Sequence, residues 1–175
     1  MVNKPTPQEI ADQAKRSYQA GDYASAILGY ASAASAYADA GDALMSAEMK
    51  NNQSVALLRD KQAPAALEVS QGTDNIFAGV NDDRRQGMAL ANQASALEAL
   101  KRYKEAIDYY TLAEDALNKA GEFEFRLEVM QLLAALYLRR FKLYDAIITL
   151  QSGLIKIKNP TPKQRFMKKL LFFRL

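Results

Sequence analysis

The chain has 175 residues and contains neither cysteine nor histidine. A thiol nucleophile, a disulfide, an imidazole base and an ordinary zinc site are therefore excluded, because each depends on one of these two residue types. The acidic residues are scattered, and the sequence has no paired carboxylates, phosphate-binding loop or nucleophile with a base. We therefore expect no enzymatic activity, no metal site and no cofactor.

The net charge of +3 is unevenly distributed. Residues 156–175 carry seven basic residues and no acidic one, whereas the first 155 residues carry 16 basic and 20 acidic residues, a net charge of −4. An acidic body argues against nucleic acid as a partner of the whole protein. The sequence lacks both a secretion signal and the run of roughly 18 apolar residues that a membrane-spanning helix needs, so we expect a soluble, cytoplasmic protein.

The chain reads as a series of helices separated by short breaks. Thr6-Pro7-Gln8-Glu9 has the pattern of a capping box with proline at the first helical position, so the first helix is predicted to begin there. Gly21-Asp22 ends this helix, and Gly41-Asp42 ends a second one. The clearest copy of such a pair of amphipathic helices lies at residues 90–122.

A shift of 40 residues aligns the sequence with itself without a gap. Three of the aligned columns hold small residues, which allow helices to approach closely, and one holds large apolar residues. The small columns are Ala26, Ala66, Ala106 and Ala146; Ala14, Ser54, Ala94 and Ala134; and Ala33, Thr73, Ala113 and Gly153; the large column is Tyr37, Phe77, Leu117 and Ile157. So many columns of matched size predict a repeated unit.

A further column, Gly41, Asn81 and Gly121, follows the large one. Glycine and asparagine tolerate the left-handed backbone conformation best, so the column predicts a left-handed residue after each second helix. The sequence therefore predicts an all-α array of four antiparallel helix hairpins that share one core. Their boundaries are near 1–41, 42–81, 82–121 and 122–160.

Residues 161–175 are predicted to form a basic amphipathic helix that begins with a second capping box at Thr161. One face carries Phe166, Met167, Leu170, Leu171 and Phe173, and Lys163, Lys168 and Lys169 lie largely off that face. One interpretation is a capping helix that buries Phe166, Leu170 and Phe173 on the fourth hairpin. The other is an element that attaches to an anionic membrane surface or to a partner's groove, including the groove of a second copy.

Residue identity in the columns separates this unit from HEAT and armadillo repeats of similar length. The third unit carries Ala94, Tyr103, Ala106, Tyr110 and Ala113, and the first carries Gly21-Asp22-Tyr23, Ala26, Tyr30 and Ala33. This pattern resembles the tetratricopeptide repeat, and the 40-residue period is similar to that of the extended repeats of kinesin light chains and Leu-Gly-Asn-type adaptors. The resemblance covers residues 7–158 and implies a right-handed solenoid.

The resemblance also implies a binding groove, because the first helix of each tetratricopeptide unit lines a concave face that holds a peptide or a helix. Asn52 and Asn92 fall where the family's Asn-Leu-Gly motif has its asparagine, the residue that holds the backbone of an extended ligand. A side-chain amide both donates and accepts hydrogen bonds, so it can bind a peptide group whatever the neighbouring side chain. The other implied groove residues are Lys15, Asn51, Arg59, Ser95, Glu98, Gln131 and Arg139.

These polar residues also have a plainer interpretation, as solvated side chains or as bridges between hairpins. The tyrosines could form a stacking surface for bases, but their place in the packing columns favours contacts between helices. We therefore expect a non-enzymatic adaptor or scaffold that binds a protein or peptide partner in its groove. The alternative is a peripheral membrane or self-assembly module that acts through the basic tail.

Overall fold

The structure is a computed structural model that describes residues 5–172. This part of the chain is all α-helical, without a β-strand, and consecutive helices pack against one another along the chain. Its ten helices are α1 Pro7–Gln19, α2 Tyr23–Asp39, α3 Ala43–Arg59, α4 Ala63–Ser70, α5 Thr73–Ala78, α6 Asp83–Ala99, α7 Tyr103–Lys119, α8 Phe123–Arg139, α9 Leu143–Ile155 and α10 Pro162–Leu171. The predicted all-α fold is confirmed for these residues.

Hydrogen bonds from capping side chains explain where several helices begin. The Thr6 side chain accepts from the Glu9 backbone N–H, and the Glu9 carboxylate accepts from the Thr6 N–H, which confirms the predicted capping box. Thr161 and Gln164 form the same arrangement before α10. Aspartate carboxylates cap α2, α3 and α6 by accepting from the backbone N–H three residues later, and these aspartates are Asp22, Asp42 and Asp82.

Left-handed residues recur every 20 residues, at the turns between helices. Gly41, Asn81 and Gly121 have φ angles of 79°, 57° and 73°, which confirms the predicted left-handed column. A second column occupies the turn inside each predicted pair, with φ angles from 59° to 81° at Gly21, Lys61, Lys101 and Phe141. The backbone of the turns therefore repeats, although the residue that adopts the left-handed conformation changes.

The small-residue columns lie in the contacts between helices. Ala26, Ala66, Ala106 and Ala146 are all buried, and so are the members of the other two small columns. Ser54, the one hydroxyl residue of its column, donates to the Ala66 carbonyl oxygen at 2.8 Å, so its burial leaves no unpaired polar group. The predicted packing role of these columns is confirmed.

The second unit departs from the predicted pair of uninterrupted helices. Its second helix is divided into α4 and α5 at Gln71-Gly72, where Gly72 has a φ angle of 79°. Ser70 Oγ donates to the Ala66 carbonyl oxygen at 2.8 Å, and Thr73 Oγ1 donates to the Ser70 carbonyl oxygen at 2.7 Å. A continuous helix would offer the Ser70 carbonyl oxygen to a backbone N–H group of the next turn, so the bond from the Thr73 hydroxyl stabilises the interruption.

Helix α10 packs on the end of the array through Met167 and Leu171, which contact a buried cluster formed by Leu127, Leu154 and Ile157. Gln151 Nε2 also donates to the Leu171 carbonyl oxygen at 2.6 Å, and Gln164 Nε2 donates to Glu124 at 3.3 Å. The predicted contact between this helix and the fourth unit is therefore present.

The prediction of which residues make that contact is wrong in part. Phe166 and Leu170 are 68% and 66% exposed, and Phe173 lies outside the described residues. The apolar residues of α10 cover more than one face, and a step of one residue rotates a side chain by about 100° around the helix. The face that carries Met167 and Leu171 is the one that packs, which leaves the face of Phe166 and Leu170 in solvent.

Candidate functional site

Two adjoining clefts lie along the first helices of the first three units. The α1–α3 cleft has a volume of about 580 Å³ and is lined by Gln8, Ala11, Asp12, Lys15, Tyr18, Gln19, Tyr30, Met45, Glu48, Met49 and Asn52. The α3–α6 cleft has a volume of about 300 Å³ and is lined by Glu48, Asn51, Asn52, Phe77, Arg84, Arg85, Met88 and Asn92. Asn52 and Glu48 border both, so the two clefts form neighbouring parts of one polar surface.

Asn52 and Asn92 both line the α3–α6 cleft, although 40 residues separate them in the chain. Both side chains are partly exposed, and neither forms a hydrogen bond within residues 5–172. Each amide therefore presents a donor and an acceptor to the cleft. These are the two residues that fall where the tetratricopeptide motif has its asparagine.

Asn51, the neighbour of Asn52, has a different environment. It is buried, and Thr73 Oγ1 lies 3.0 Å from its Oδ1 atom. The contact connects α3 with the start of α5, beside the interruption of the second unit. The Asn51 amide therefore serves mainly to join two helices, although part of it borders the cleft.

Ser95, Glu98 and Arg139 belong to a network inside the protein. Ser95 Oγ donates to the Ala91 carbonyl oxygen at 2.9 Å, and Tyr110 donates to the Glu98 carboxylate at 3.1 Å. Arg139 also donates to Glu98, so the network connects the third unit with the fourth. Burial raises the pKa of the Tyr110 hydroxyl, which therefore remains protonated and able to donate.

The three remaining predicted groove residues are dispersed. Lys15 lines the α1–α3 cleft with the carboxylates of Asp12 and Glu48. Arg59 donates to the Tyr18 hydroxyl over a long distance of 3.4 Å and is otherwise exposed. Gln131 lies on α8, outside both clefts.

Arg85 also lines the α3–α6 cleft, and it was not among the groove residues predicted from the sequence. Its guanidinium group donates to Asp82 at 2.6 Å and to Glu48 at 3.1 Å, and it lies 5.2 Å from the centre of the Phe77 ring. The hydrogen bond from the Arg85 backbone N–H, supported by its guanidinium group, holds the pKa of Asp82 below its usual value. The sequence does not indicate that Arg85 contacts Glu48 and Phe77, because these two residues lie on other helices.

The basic tail presents both charged and apolar groups. Lys163 and Lys169 are exposed, as are Phe166 and Leu170, whereas Lys168 donates to the Ile157 carbonyl oxygen at 3.2 Å. Over residues 5–172, no helix has the length and apolar character needed to cross a membrane. The same residues contain no group of three or more acidic side chains placed to hold a metal ion.

The chain was compared with models of protein families and with curated proteins. Neither comparison finds a match.

Proposed function

We propose that the chain is a non-enzymatic scaffold of the tetratricopeptide type, a right-handed solenoid of four helical units, that binds an extended segment of a partner protein. The segment occupies the α3–α6 cleft and makes backbone hydrogen bonds with Asn52 and Asn92. The observation that carries the proposal is that both amides line one cleft and have no hydrogen-bond partner in the described part of the chain.

An extended peptide is the ligand whose chemistry fits these two amides. Its backbone N–H and C=O groups are not paired within a helix or a sheet, and one side-chain amide can form hydrogen bonds with both kinds of group. The larger α1–α3 cleft continues from Asn52 along α1, so several residues of such a segment have a surface to follow. Its exposed polar groups include Gln8, Asp12 and Gln19.

The contrast with neighbouring polar residues supports the choice of these two asparagines. Asn51, Ser95 and Glu98 were equally implied by the family resemblance, but each pairs with a group of the same chain. A group that already has a partner must lose a hydrogen bond before it binds a ligand, which lowers the net gain. Asn52 and Asn92 need no such exchange.

The fixed charges of the clefts limit the partner's composition. Lys15 lies among Asp12 and Glu48, and Arg85 is paired with Asp82 and Glu48. Charges of both signs are thus present and partly neutralised. We expect a segment of mixed polar and apolar composition, since a strongly acidic or basic segment would meet like charges on one side of the cleft.

The test uses peptides selected from a displayed library on the intact chain. Replacing Asn52 or Asn92 with alanine is expected to weaken binding of a selected peptide about fivefold each, and the pair about 25-fold, since each lost hydrogen bond contributes about 1 kcal/mol. Gln53→Ala is the matched control, because its amide lies outside both clefts, and Asn118→Ala is a second control at an amide that accepts a hydrogen bond from Lys156. Fluorescence anisotropy gives the affinities, and circular dichroism checks the fold. Unchanged affinity in the double variant, or an equal loss in the controls, contradicts the proposal.

A second candidate function rests on the exposed face of α10. Phe166 and Leu170 lie in solvent beside Lys163 and Lys169, which suits a contact with an anionic membrane surface or with a second copy. Light scattering and vesicle sedimentation of the full chain, compared with the Phe166→Ser/Leu170→Ser variant, test it. Equal mass and equal sedimentation of the two proteins would remove this candidate.

A further inference from the structure

The most exposed large apolar side chain in the described residues is Phe141, in the turn between α8 and α9. It is 98% exposed, so it contributes nothing to the core, and its φ angle of 59° is in the left-handed region. A bulky residue with a Cβ atom is strained in that conformation. Neither packing nor backbone geometry therefore explains phenylalanine at this position.

The 40-residue register shows how unusual this choice is. At the aligned positions, Gly21 adopts the left-handed conformation without strain, and Lys61 and Lys101 have charged side chains that water solvates. The fourth turn alone combines the strained conformation with an aromatic ring in solvent. Strained residues that the fold does not require are candidates for a functional contact.

The turn carries a concentration of positive charge. Arg139, Arg140 and Lys142 flank Phe141, and Arg140 lies 5.8 Å from the centre of the Tyr103 ring, which places the preceding basic turn beside it. The two turns and the helix ends beside them carry six basic residues and four nearby acidic ones. The basic residues are Lys101, Arg102, Lys104, Arg139, Arg140 and Lys142, and the acidic ones are Glu98, Glu105, Asp108 and Asp145.

The pairing of these charges leaves a positive surface. Glu98 pairs with Arg139, Glu105 with Arg102, and Asp145 lies 3.9 Å from Lys142. The three remaining basic residues, Lys101, Lys104 and Arg140, form no ion pair in the part of the chain that the structure describes. Leu143 and Tyr144, which follow Phe141, are exposed and extend the apolar surface.

We propose that this turn and the helix residues beside it, 139–144, dock on an anionic lipid surface, with the Phe141 ring inserted at the boundary between headgroups and acyl chains. An aromatic ring partitions into that boundary, while lysine and arginine pair with anionic headgroups around it. A lipid surface fits better than a protein pocket because the ring projects from a turn and is uncovered on all sides. A bilayer can deform around such a projection.

The proposed contact is separate from the partner-binding clefts. The clefts are formed mainly by α1, α3 and α6, whereas the turn joins α8 with α9. Different residues would therefore hold the partner segment and the membrane, and failure of one contact leaves the other intact. The turn also differs from the exposed face of α10, so variants can separate the two.

Vesicle sedimentation of the full chain tests the proposal. The chain is expected to sediment with phosphatidylcholine vesicles that contain phosphatidylserine and not with phosphatidylcholine alone. Phe141→Ser is expected to lower the partition coefficient about tenfold, and Lys101→Gln/Arg140→Gln about 25-fold, since each charge without an ion pair contributes about a factor of five. Leu28→Ser is the matched control, because Leu28 is a 70% exposed apolar residue on α2. Its partition should equal that of the native chain.

A fluorescent reporter makes the test specific, because the chain contains no tryptophan. Phe141→Trp is expected to shift its emission to the blue and to resist iodide quenching when phosphatidylserine vesicles are added, and Leu28→Trp is not. The shift should persist in the Phe166→Ser/Leu170→Ser background. The proposal is overturned by absence of sedimentation, by unchanged Phe141→Trp emission, or by binding that depends on Phe166 and Leu170 and not on Phe141.

Discussion

The third and fourth helix pairs, α6–α7 and α8–α9, share a core pattern and differ on their surfaces. Ala106 and Ala146, in the same column, are both buried. On the exposed side of the second helix, three aligned positions change from polar to apolar: Lys104, Asp108 and Asp115 in α7 become Tyr144, Ile148 and Ile155 in α9. Contacts between helices constrain the columns, whereas solvent does not constrain the outer face, so differences between units concentrate there.

The two pairs also accommodate one crowded contact in opposite ways. In the third pair, Gly87 of α6 lies against Leu117 and Ala113 of α7, and a Cβ atom at Gly87 would lie 2.6 Å from Leu117 Cγ. In the fourth pair, Leu127 stands at the aligned position, and it lies against Gly153, where a Cβ atom would be 2.9 Å from Leu127 Cδ1. The glycine moves from one helix to the other while the contact remains close.

The largest expected effect comes from the shared large column. Leu117→Ala should lower the free energy of unfolding by about 3 kcal/mol, because Leu117 is enclosed in the core of the third pair. Ile157→Ala should cost about 2 kcal/mol, since Ile157 lies in a smaller cluster at the end of the array. Urea unfolding followed by circular dichroism measures both. Equal losses of unfolding free energy would contradict the expected difference between the two clusters.

The ion pairs between the third and fourth pairs should differ by burial. Arg126 of α8 is buried and donates to Glu114 of α7, so Glu114→Gln should cost about 2 kcal/mol by leaving a buried charge without its partner. The exposed pair between Arg84 and Glu122 is the control, and Glu122→Gln should cost less than about 1 kcal/mol. Chemical denaturation of both variants gives the comparison, and similar costs would contradict the importance of burial.

The crowded contact at Gly153 decides whether an alanine there lowers or raises the free energy of unfolding. Gly153→Ala should lower stability by about 1 kcal/mol, because the new methyl group meets Leu127 and Met130. Without that contact, the same change inside a helix would raise stability by about 1 kcal/mol. The loss should shrink in a Leu127→Val background, which a double-mutant cycle of unfolding free energies measures. A stabilised Gly153→Ala protein would show that the contact has room.

The last expected effect concerns the residues at which the helices begin. Asp82 caps α6, whereas Glu122 at the aligned start of α8 forms no side-chain cap, so Asp82→Ala should cost about 1 kcal/mol. The folded state lowers the pKa of Asp82, so its charge stabilises the fold above the unfolded value of about 4. That contribution is lost as pH falls through the folded pKa. Asp82→Asn should flatten this part of the dependence of unfolding free energy on pH, and an unchanged profile would contradict the assignment.

The parts of the fold that were predictable depend on local or periodic features. Capping boxes at Thr6 and Thr161 involve residues three apart, and the buried columns recur at a fixed interval. The interruption at Gln71-Gly72 was not predicted, although Gly72 is a local signal for it; the contact between Asn51 and Thr73 beside it joins different helices and could not be predicted from spacing. The face of α10 that packs was not predictable either, since the apolar residues of that helix permit more than one orientation.

In the candidate site, too, the residue positions on a helix were predictable and the contacts between helices were not. Helical spacing and the family resemblance were enough to select Asn52 and Asn92 as a pair of amides on first helices. They could not show that Ser95 and Glu98 are engaged inside the protein, because Tyr110 and Arg139 reach them from other helices. Polar residues on one helix face look alike in a sequence, and their partners distinguish them.

Nuclear magnetic resonance of the side-chain amide groups tests the central claim most directly. With a selected peptide added to the isotope-labelled chain, the NH₂ signals of Asn52 and Asn92 should shift together and saturate at one affinity. The signals of Gln53 and Asn118 should stay in place, because these amides lie outside the clefts. Shifts confined to other residues, with Asn52 and Asn92 unchanged, would contradict the proposed binding site.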